Sequence, residues 1–224
     1  MNAPLRMSPV CDARKATSLQ WNVRENMRVE EQVDAADSMR AATLGIADVS
    51  YLARTGFKGK GVAAWLQAQD IPVPAQPNSW APLAGGGVVL RLGVSEYLIE
   101  DGLTHGSSAR MAHLDTPVHV YPVLHQDVAL VLCGEAVHEL LLQTCNVNFG
   151  ALDLAFRPVV LTSMAGVAVT VMPGARAGRA YYRVWADGTY GLYLWETLSG
   201  IAAELGGGPV GLAAITDIDQ LAVR

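Results

Sequence analysis

Leu44–Leu66, LGIADVSYLARTGFKGKGVAAWL, is the stretch whose reading decides the fold. Roughly seventy-five positions later Asp127–Leu142 reads DVALVLCGEAVHELLL, so Gly59, Val62 and Leu66 find counterparts in Gly134, Val137 and Leu141. Each copy is an extended apolar run, a glycine turn, and then a helix that begins with small residues. Each is followed by further extended material. The pattern therefore predicts an α+β chain built from two related halves, about 44–104 and 120–224, within a domain spanning 29–224. Residues 1–28 are mixed in character and carry Pro4 and Pro9, and are expected to form a mobile arm.

Working outward, the composition limits what such a chain can be. Its 224 residues suffice for a substantial core. Hydrophobic residues make up 51% and charged residues only 17%, which suggests that part of the surface is covered by a partner; abundant Ala and Gly weaken that inference. A net charge of −5, with Arg and Lys scattered, lacks the footprint of a nucleic-acid binder. Cys11, Cys133 and Cys145 form no CxxC or metal-ligand spacing, so a reducing cytoplasm is expected and no metal site. The N-terminus has no apolar core of a signal peptide, and the apolar runs are too short or too interrupted to cross a membrane.

Along the chain, Val29–Thr43 has helix formers at helical spacing, and Gly45 is expected to end that helix. Ile46–Phe57 reads as a strand bent near Ser50, and Lys60–Gln69 as a helix. Four prolines make a loop of Asp70–Leu83. Val88–Leu92 and Tyr97–Glu100 read as a hairpin. Val128–Leu132 is a strand and Glu135–Gln143 a helix, followed by β segments at Val159–Thr162, Val167–Val171 and Tyr181–Trp185. Tyr190–Leu205 is a helix with Leu194, Leu198, Ile201 and Leu205 on one stripe.

Few residues announce chemistry. No GxSxG elbow is present, and GKGVAAW lacks the spacing of a phosphate loop. Gly85–Gly87 precedes a strand, not a helix, so it supplies no pyrophosphate site. His105, His113, His119 and His125 are spaced unlike common metal ligands and read as ordinary loop and strand histidines. Aromatics at Tyr181, Tyr182, Trp185, Tyr190, Tyr193 and Trp195 could hold a flat heterocycle, meet a partner, or fill the core. Arg176, Arg179 and Arg183 could clamp a carboxylate or lie in a solvated loop.

Several phrases together carry a resemblance. They are Glu31 with LGIADVSY (Leu44–Tyr51), Gly59–Leu66, RLGVSEYLIE (Arg91–Glu100), CGEAVHELLLQTC, YLWETL (Tyr193–Leu198) and the terminal GGPVGLAAITDIDQLAVR. In this order they cover roughly 30–224, and the sequence resembles the aminomethyltransferase family. That family comprises the glycine cleavage T-protein, its folate-binding relatives and the small gamma subunit of heterotetrameric sarcosine oxidase. The resemblance implies two ferredoxin-like halves forming a T-protein-like, folate-binding-type domain. It also implies a chain without the C-terminal β-barrel domain of T-proteins.

The departures bear on function. The acidic pair of the family's GGVIDD is replaced here by Val89 and Leu90. Where the acid of TGEDGFE is expected, AGRAYYRV offers Arg179 and Arg183, and KGCYxGQE is missing. A buried pterin needs directed hydrogen bonds, and losing them costs about 1–3 kcal/mol each. The resemblance with these losses implies a non-catalytic subunit, partnered by other subunits of an amine oxidase or dehydrogenase that carry flavin, or by itself, with no catalytic residue of its own. The alternative it leaves open is a tetrahydrofolate-binding protein of one-carbon metabolism. Its motif alignment then places a folate site near Asp48, Ser50, Arg91, Tyr97, Arg183 and Trp195.

Overall fold

In the computed structural model, which describes residues 6–14, 18–102 and 106–221, the chain is a mixed α+β protein that divides into two units. The first gathers the described residues up to Tyr51, Asp127–Leu152, and those from Thr162 onward. The second gathers Leu52–Gln126 and Asp153–Leu161.

The second unit is a five-stranded sheet of order β5-β6-β7-β4-β8. Its strands are β4 (Arg54–Lys58), β5 (Ser79–Pro82), β6 (Val88–Arg91), β7 (Glu96–Glu100) and β8 (Tyr121–Val123). Helix α2 (Val62–Ala68) follows β4, and α3 (Ser107–Ala112) follows β7. Val62 and Leu66, one turn apart, are fully buried with Phe57, Tyr97, Ile99 and Met111 in one core. Trp65 meets Phe57 edge-on, ring centres 4.7 Å apart. Within this core β4 and β7 also bring Arg54 opposite Glu100, an ion pair whose side chains are 2% and 0% exposed. Asp153–Leu161 returns to the unit's edge, where Val159 N donates to Asn78 O at 2.8 Å.

The first unit is organised on β9 (Asp127–Cys133), flanked by β13 (Arg179–Asp187) and β3 (Gly45–Asp48) in antiparallel register. With β10 (Val160–Met164), β11 (Val167–Met172), β12 (Ala175–Arg176) and β14 (Gly208–Pro209) this makes a seven-stranded sheet, and its main path runs β10-β11-β13-β9-β3-β14. Its helices are α1 (Asp37–Thr43), α4 (Val137–Thr144), α5 (Gly191–Glu204) and α6 (Leu212–Leu221). A two-stranded ribbon, β1 (Gln20–Arg24) and β2 (Met27–Gln32), completes the unit. On α5 the buried stripe is Gly191, Leu194, Trp195, Leu198 and Ala202; Ile201 and Leu205, expected on it, are half-buried at its margin.

The strand, glycine and helix read at Gly59 and again at Gly134 recur in space. β4 leads through Gly59 into α2, and β9 leads through Gly134 into α4. Antiparallel neighbours then run β6-β7-β4-β8 in one sheet and β11-β13-β9-β3 in the other. The two differ in one place: β8 follows its helix in the chain, whereas β3 precedes its own. Both glycines have positive φ, +132° and +113°, and both lie under a carbonyl. A Cβ on Gly59 would stand 2.2 Å from His119 O, and one on Gly134 would stand 2.6 Å from Thr43 O.

Elsewhere the structure corrects the expected elements. The helix expected over Val29–Thr43 is the strand β2 followed by the shorter α1. Met27 and Val29 alternate into the core, while Asp37 accepts from the Val33 and Asp34 amides and so starts the helix late. Part of the expected arm is strand β1, which turns into β2 through Glu25 and Asn26, both at positive φ. The single strand expected over Ile46–Phe57 is two strands in different sheets, β3 and β4, because Asp48 Oδ1 accepts the Ser50 amide and turns the chain. Within the expected Pro-rich loop, Ser79–Pro82 is an edge strand, where the missing proline N–H is tolerated. Helices α3 and α6 were not expected.

Replacing Gly59 or Gly134 by Ala forces a positive φ that costs about 1–3 kcal/mol before the carbonyl overlap is counted. Gly200, exposed on α5 with nothing within 4 Å of where an added methyl would stand, is the contrasting case. Urea denaturation is expected to show G59A and G134A destabilised by at least about 2 kcal/mol and G200A stabilised by about 0.5–1 kcal/mol.

Candidate functional site

At the end of β3, Asp48 is the centre of a buried polar network in the first unit. Its Oδ2 accepts from Ser8 Oγ at 2.6 Å and is in contact with the Arg14 guanidinium, while Oδ1 takes the Ser50 amide at 2.8 Å. Arg14 also lies 3.5 Å from Glu30 on β2. Each carboxylate oxygen of Asp48 is thus engaged by a donor from its own chain, which makes it an anchor between the N-terminal segment, β3 and the turn that follows it. Ser50, 1% exposed, is used in the same way: its hydroxyl accepts from Ala129 N at 3.0 Å and extends the pairing of β3 with β9.

Beside this network Glu31 accepts from Arg24 Nε at 2.6 Å and from Asn22 at 3.3 Å. Tyr51 stands near the pair, and its hydroxyl has no hydrogen-bond partner among the described residues. Burial pushes the Tyr51 phenol up to about 12; Arg24 and Arg183 pull against this, and Glu31 and Glu25 add to it. Arg183 is 3% exposed on β13, with its guanidinium carbon 5.5 Å from the centre of the Trp185 ring. Trp195, 4% exposed, belongs to the buried stripe of α5. On another part of β13, Tyr182 bonds His138 Nε2 at 2.8 Å, and burial pushes its phenol to about 12 as well.

Arg91 and Tyr97 lie in the second unit. Arg91 donates to four carbonyls, Gly93, Pro74, Ala75 and Val94, at 2.9–3.2 Å, so it ties the Pro-rich loop to the hairpin turn. Tyr97 packs in the core beneath it, 1% exposed, and its hydroxyl has no partner among the described residues. The six sequence-derived positions therefore fall into two groups, with Asp48, Ser50, Arg183 and Trp195 in one unit and Arg91 and Tyr97 in the other.

The residues that sequence reading missed are Ser8, Arg14 and Glu30, the partners that define what Asp48 does. Arg14 lay in the expected arm and Glu30 in the expected helix, and nothing in their local spacing links them to Asp48. Among the described residues no group of three His, Cys, Asp or Glu side chains could hold a metal ion. His105 lies outside the described residues. His119 contributes its carbonyl over Gly59, and the His125 ring lies over Gly56.

No family model matches the sequence, and no curated protein does. Among solved structures the chain is similar to the glycine cleavage system aminomethyltransferase T from Bartonella henselae, with a TM-score of 0.73 and 14% identity. That match covers 96% of this chain and 62% of the aminomethyltransferase, so the chain spans less than two thirds of that protein's length. A second similar structure is a chain of the heterotetrameric sarcosine oxidase from Corynebacterium sp. U-96 in complex with pyrrole 2-carboxylate, with a TM-score of 0.62 and 20% identity. This match covers 92% of this chain and 100% of that one. The likeness establishes a T-protein-like fold, in keeping with the resemblance read from the sequence.

Because burial favours the neutral phenol, the folded pKa of Tyr51 lies above its unfolded value of 10.0. Its contribution to stability is complete below that value and is lost as the pH rises through about 12. Tyr51→Phe removes this dependence. Melting temperatures recorded from pH 9 to pH 12 are expected to fall less steeply for the variant than for the wild type; parallel curves would contradict the assignment.

Proposed function

We propose that the chain is a non-catalytic structural or assembly subunit of a sarcosine oxidase-type heteromeric flavoenzyme, the counterpart of its gamma subunit. It works in the cytoplasm with flavin carried by its partners. The observation that carries this reading is the engagement of Asp48: the one carboxylate among the six candidate positions is held by Arg14, Ser8 and the Ser50 amide. The similarity to a sarcosine oxidase chain over all of that chain supports it. So does the scarcity of charge, 17% of residues, which suits a surface partly covered by other subunits. In the same reading the two units are ferredoxin-like halves, supported by the shared orders β6-β7-β4-β8 and β11-β13-β9-β3.

A second reading is a tetrahydrofolate-binding protein of one-carbon metabolism that uses Asp48, Ser50, Arg91, Tyr97, Arg183 and Trp195. Two observations favour it: the likeness to an aminomethyltransferase, and the buried Tyr97 hydroxyl without a partner among the described residues. Two measurements separate the readings. Co-expressed with the flavin-carrying subunits of a sarcosine oxidase-type enzyme, the chain is expected to elute from size exclusion in one peak with flavin absorbance; a monomer that binds none of them rejects the subunit role. Tetrahydrofolate is expected to leave the melting temperature unchanged up to millimolar concentration. A saturable rise would move the assignment to folate binding.

A further inference from the structure

The two glycine junctions agree bond for bond, so residues of one unit can be read against those of the other. Gly134 N donates to Ala180 O as Gly59 N does to Ser95 O, and Ala136 N donates to Thr43 O as Gly61 N does to His119 O. In the same register Ile46 lies opposite Leu132 on β9, and Pro122 lies opposite Phe57 on β4. Val120 and Pro122 therefore correspond to Leu44 and Ile46. In the first unit the Leu44 and Ile46 carbonyls accept from Gly208 N and Val210 N, both at 2.9 Å, which seats β14 along β3. In the second unit β8 is the last strand of its sheet, and among the described residues no strand pairs with its outer edge.

The side chains around this edge are apolar and bare. Val118 and Leu124 are each 81% exposed, and Tyr121 is 58% exposed. Lys58 stands opposite Tyr121 in the ladder, and Lys60 follows in the Gly59 turn. These are two of the three lysines in the chain; both are exposed, and neither forms an ion pair among the described residues. A proline and lysines are also what keeps an idle edge from pairing. Pro122 removes only a donor, however. Its carbonyl and that of Val120 remain, and an idle edge gains nothing from exposed Val, Tyr and Leu side chains. A second copy of the chain is a poor occupant: two β8 edges laid antiparallel about Pro122 would each lack the N–H that the other needs, and would bring the lysines of both copies to one seam.

We propose that the outer edge of β8 docks an extended segment of a partner subunit, which takes the place beside β8 that β14 takes beside β3. The segment donates backbone N–H groups to Val120 O and Pro122 O, covers Val118, Tyr121 and Leu124 with apolar side chains, and turns carboxylates toward Lys58 and Lys60. This rests on the subunit role proposed above and adds to it the place and the chemistry of the contact.

The full chain, co-expressed with the flavin-carrying subunits of a sarcosine oxidase-type enzyme, tests the proposal. A zero-length carbodiimide cross-linker, which joins amines to carboxylates, is expected to link Lys58 or Lys60 to an acidic residue of a partner. The variants V118S/L124S and K58E/K60E are each expected to keep the melting temperature of the free chain and to bind at least about tenfold more weakly than the wild type. Wild-type affinity in both variants, or cross-links that map only elsewhere on the chain, overturn the docking edge and leave the subunit role standing. A wild-type chain that binds no partner overturns both. If the variants melt well below the wild type, hydrogen exchange of the wild-type complex decides. Exchange is expected to slow across residues 118–124 when the partner binds, and unchanged exchange there overturns the edge.

Discussion

Two backbone carbonyls, Thr43 O and His119 O, occupy the space that a side chain would need at Gly134 and Gly59. This close approach is the constraint on which both units depend. It lets a strand end, turn at positive φ and launch a helix while another segment passes directly over the turn. In the first unit that segment is the end of α1, which carries the chain into β3; in the second it is the loop that carries the chain into β8. At each glycine the overlying segment is therefore the one that supplies the next neighbour of the central strand, β3 beside β9 and β8 beside β4. The repeat is a repeat of this junction, and few other identities are needed to maintain it.

Charge in this protein is spent inward. Glu30, Glu31, Asp37, Asp48, Glu100, Asp101 and Arg183 are all buried, although charged residues are only 17% of the chain. Asp37 binds the Val33, Asp34 and Gly211 amides, and Asp101 takes the Ser108 amide and hydroxyl at the start of α3. Buried ion pairs contribute little net stability over apolar substitutes, but removing one partner is expensive. Their effect here is to fix which segments meet.

How much of this could be read from sequence depended on the range of the interaction concerned. The junctions at Gly59 and Gly134, the hairpin of β6 and β7, and helix α5 are written in neighbouring residues, and periodicity found them. The ribbon of β1 and β2 turns on Glu25 and Asn26, which lack the Asn-Gly signature, and β2 carries helix formers whose acidic groups are held by Arg14 and Ser18 and by Arg24 and Asn22. The six site positions came from motif alignment. Motif and residue type suggested them, whereas the pairings of Asp48 with Arg14, and of Arg91 with the carbonyls of Pro74 and Ala75, are made by the tertiary fold. No local pattern encodes them.

The division of the chain into units also sets an order of events during synthesis. The second unit draws all five strands of its sheet from one continuous stretch, Leu52–Gln126, and can begin to pair as soon as that stretch has left the ribosome. Strand β3 is made earlier but has to wait: Ser50 and its partner Ala129 are 79 positions apart, and the other side of β9 is completed only by β13. For that interval the apolar β3 has neither of its neighbours, β9 or β14. The unit that contains β3 is therefore completed after the one whose strands follow β3 in the chain, and the nascent chain must keep that strand from pairing elsewhere until its own sheet arrives.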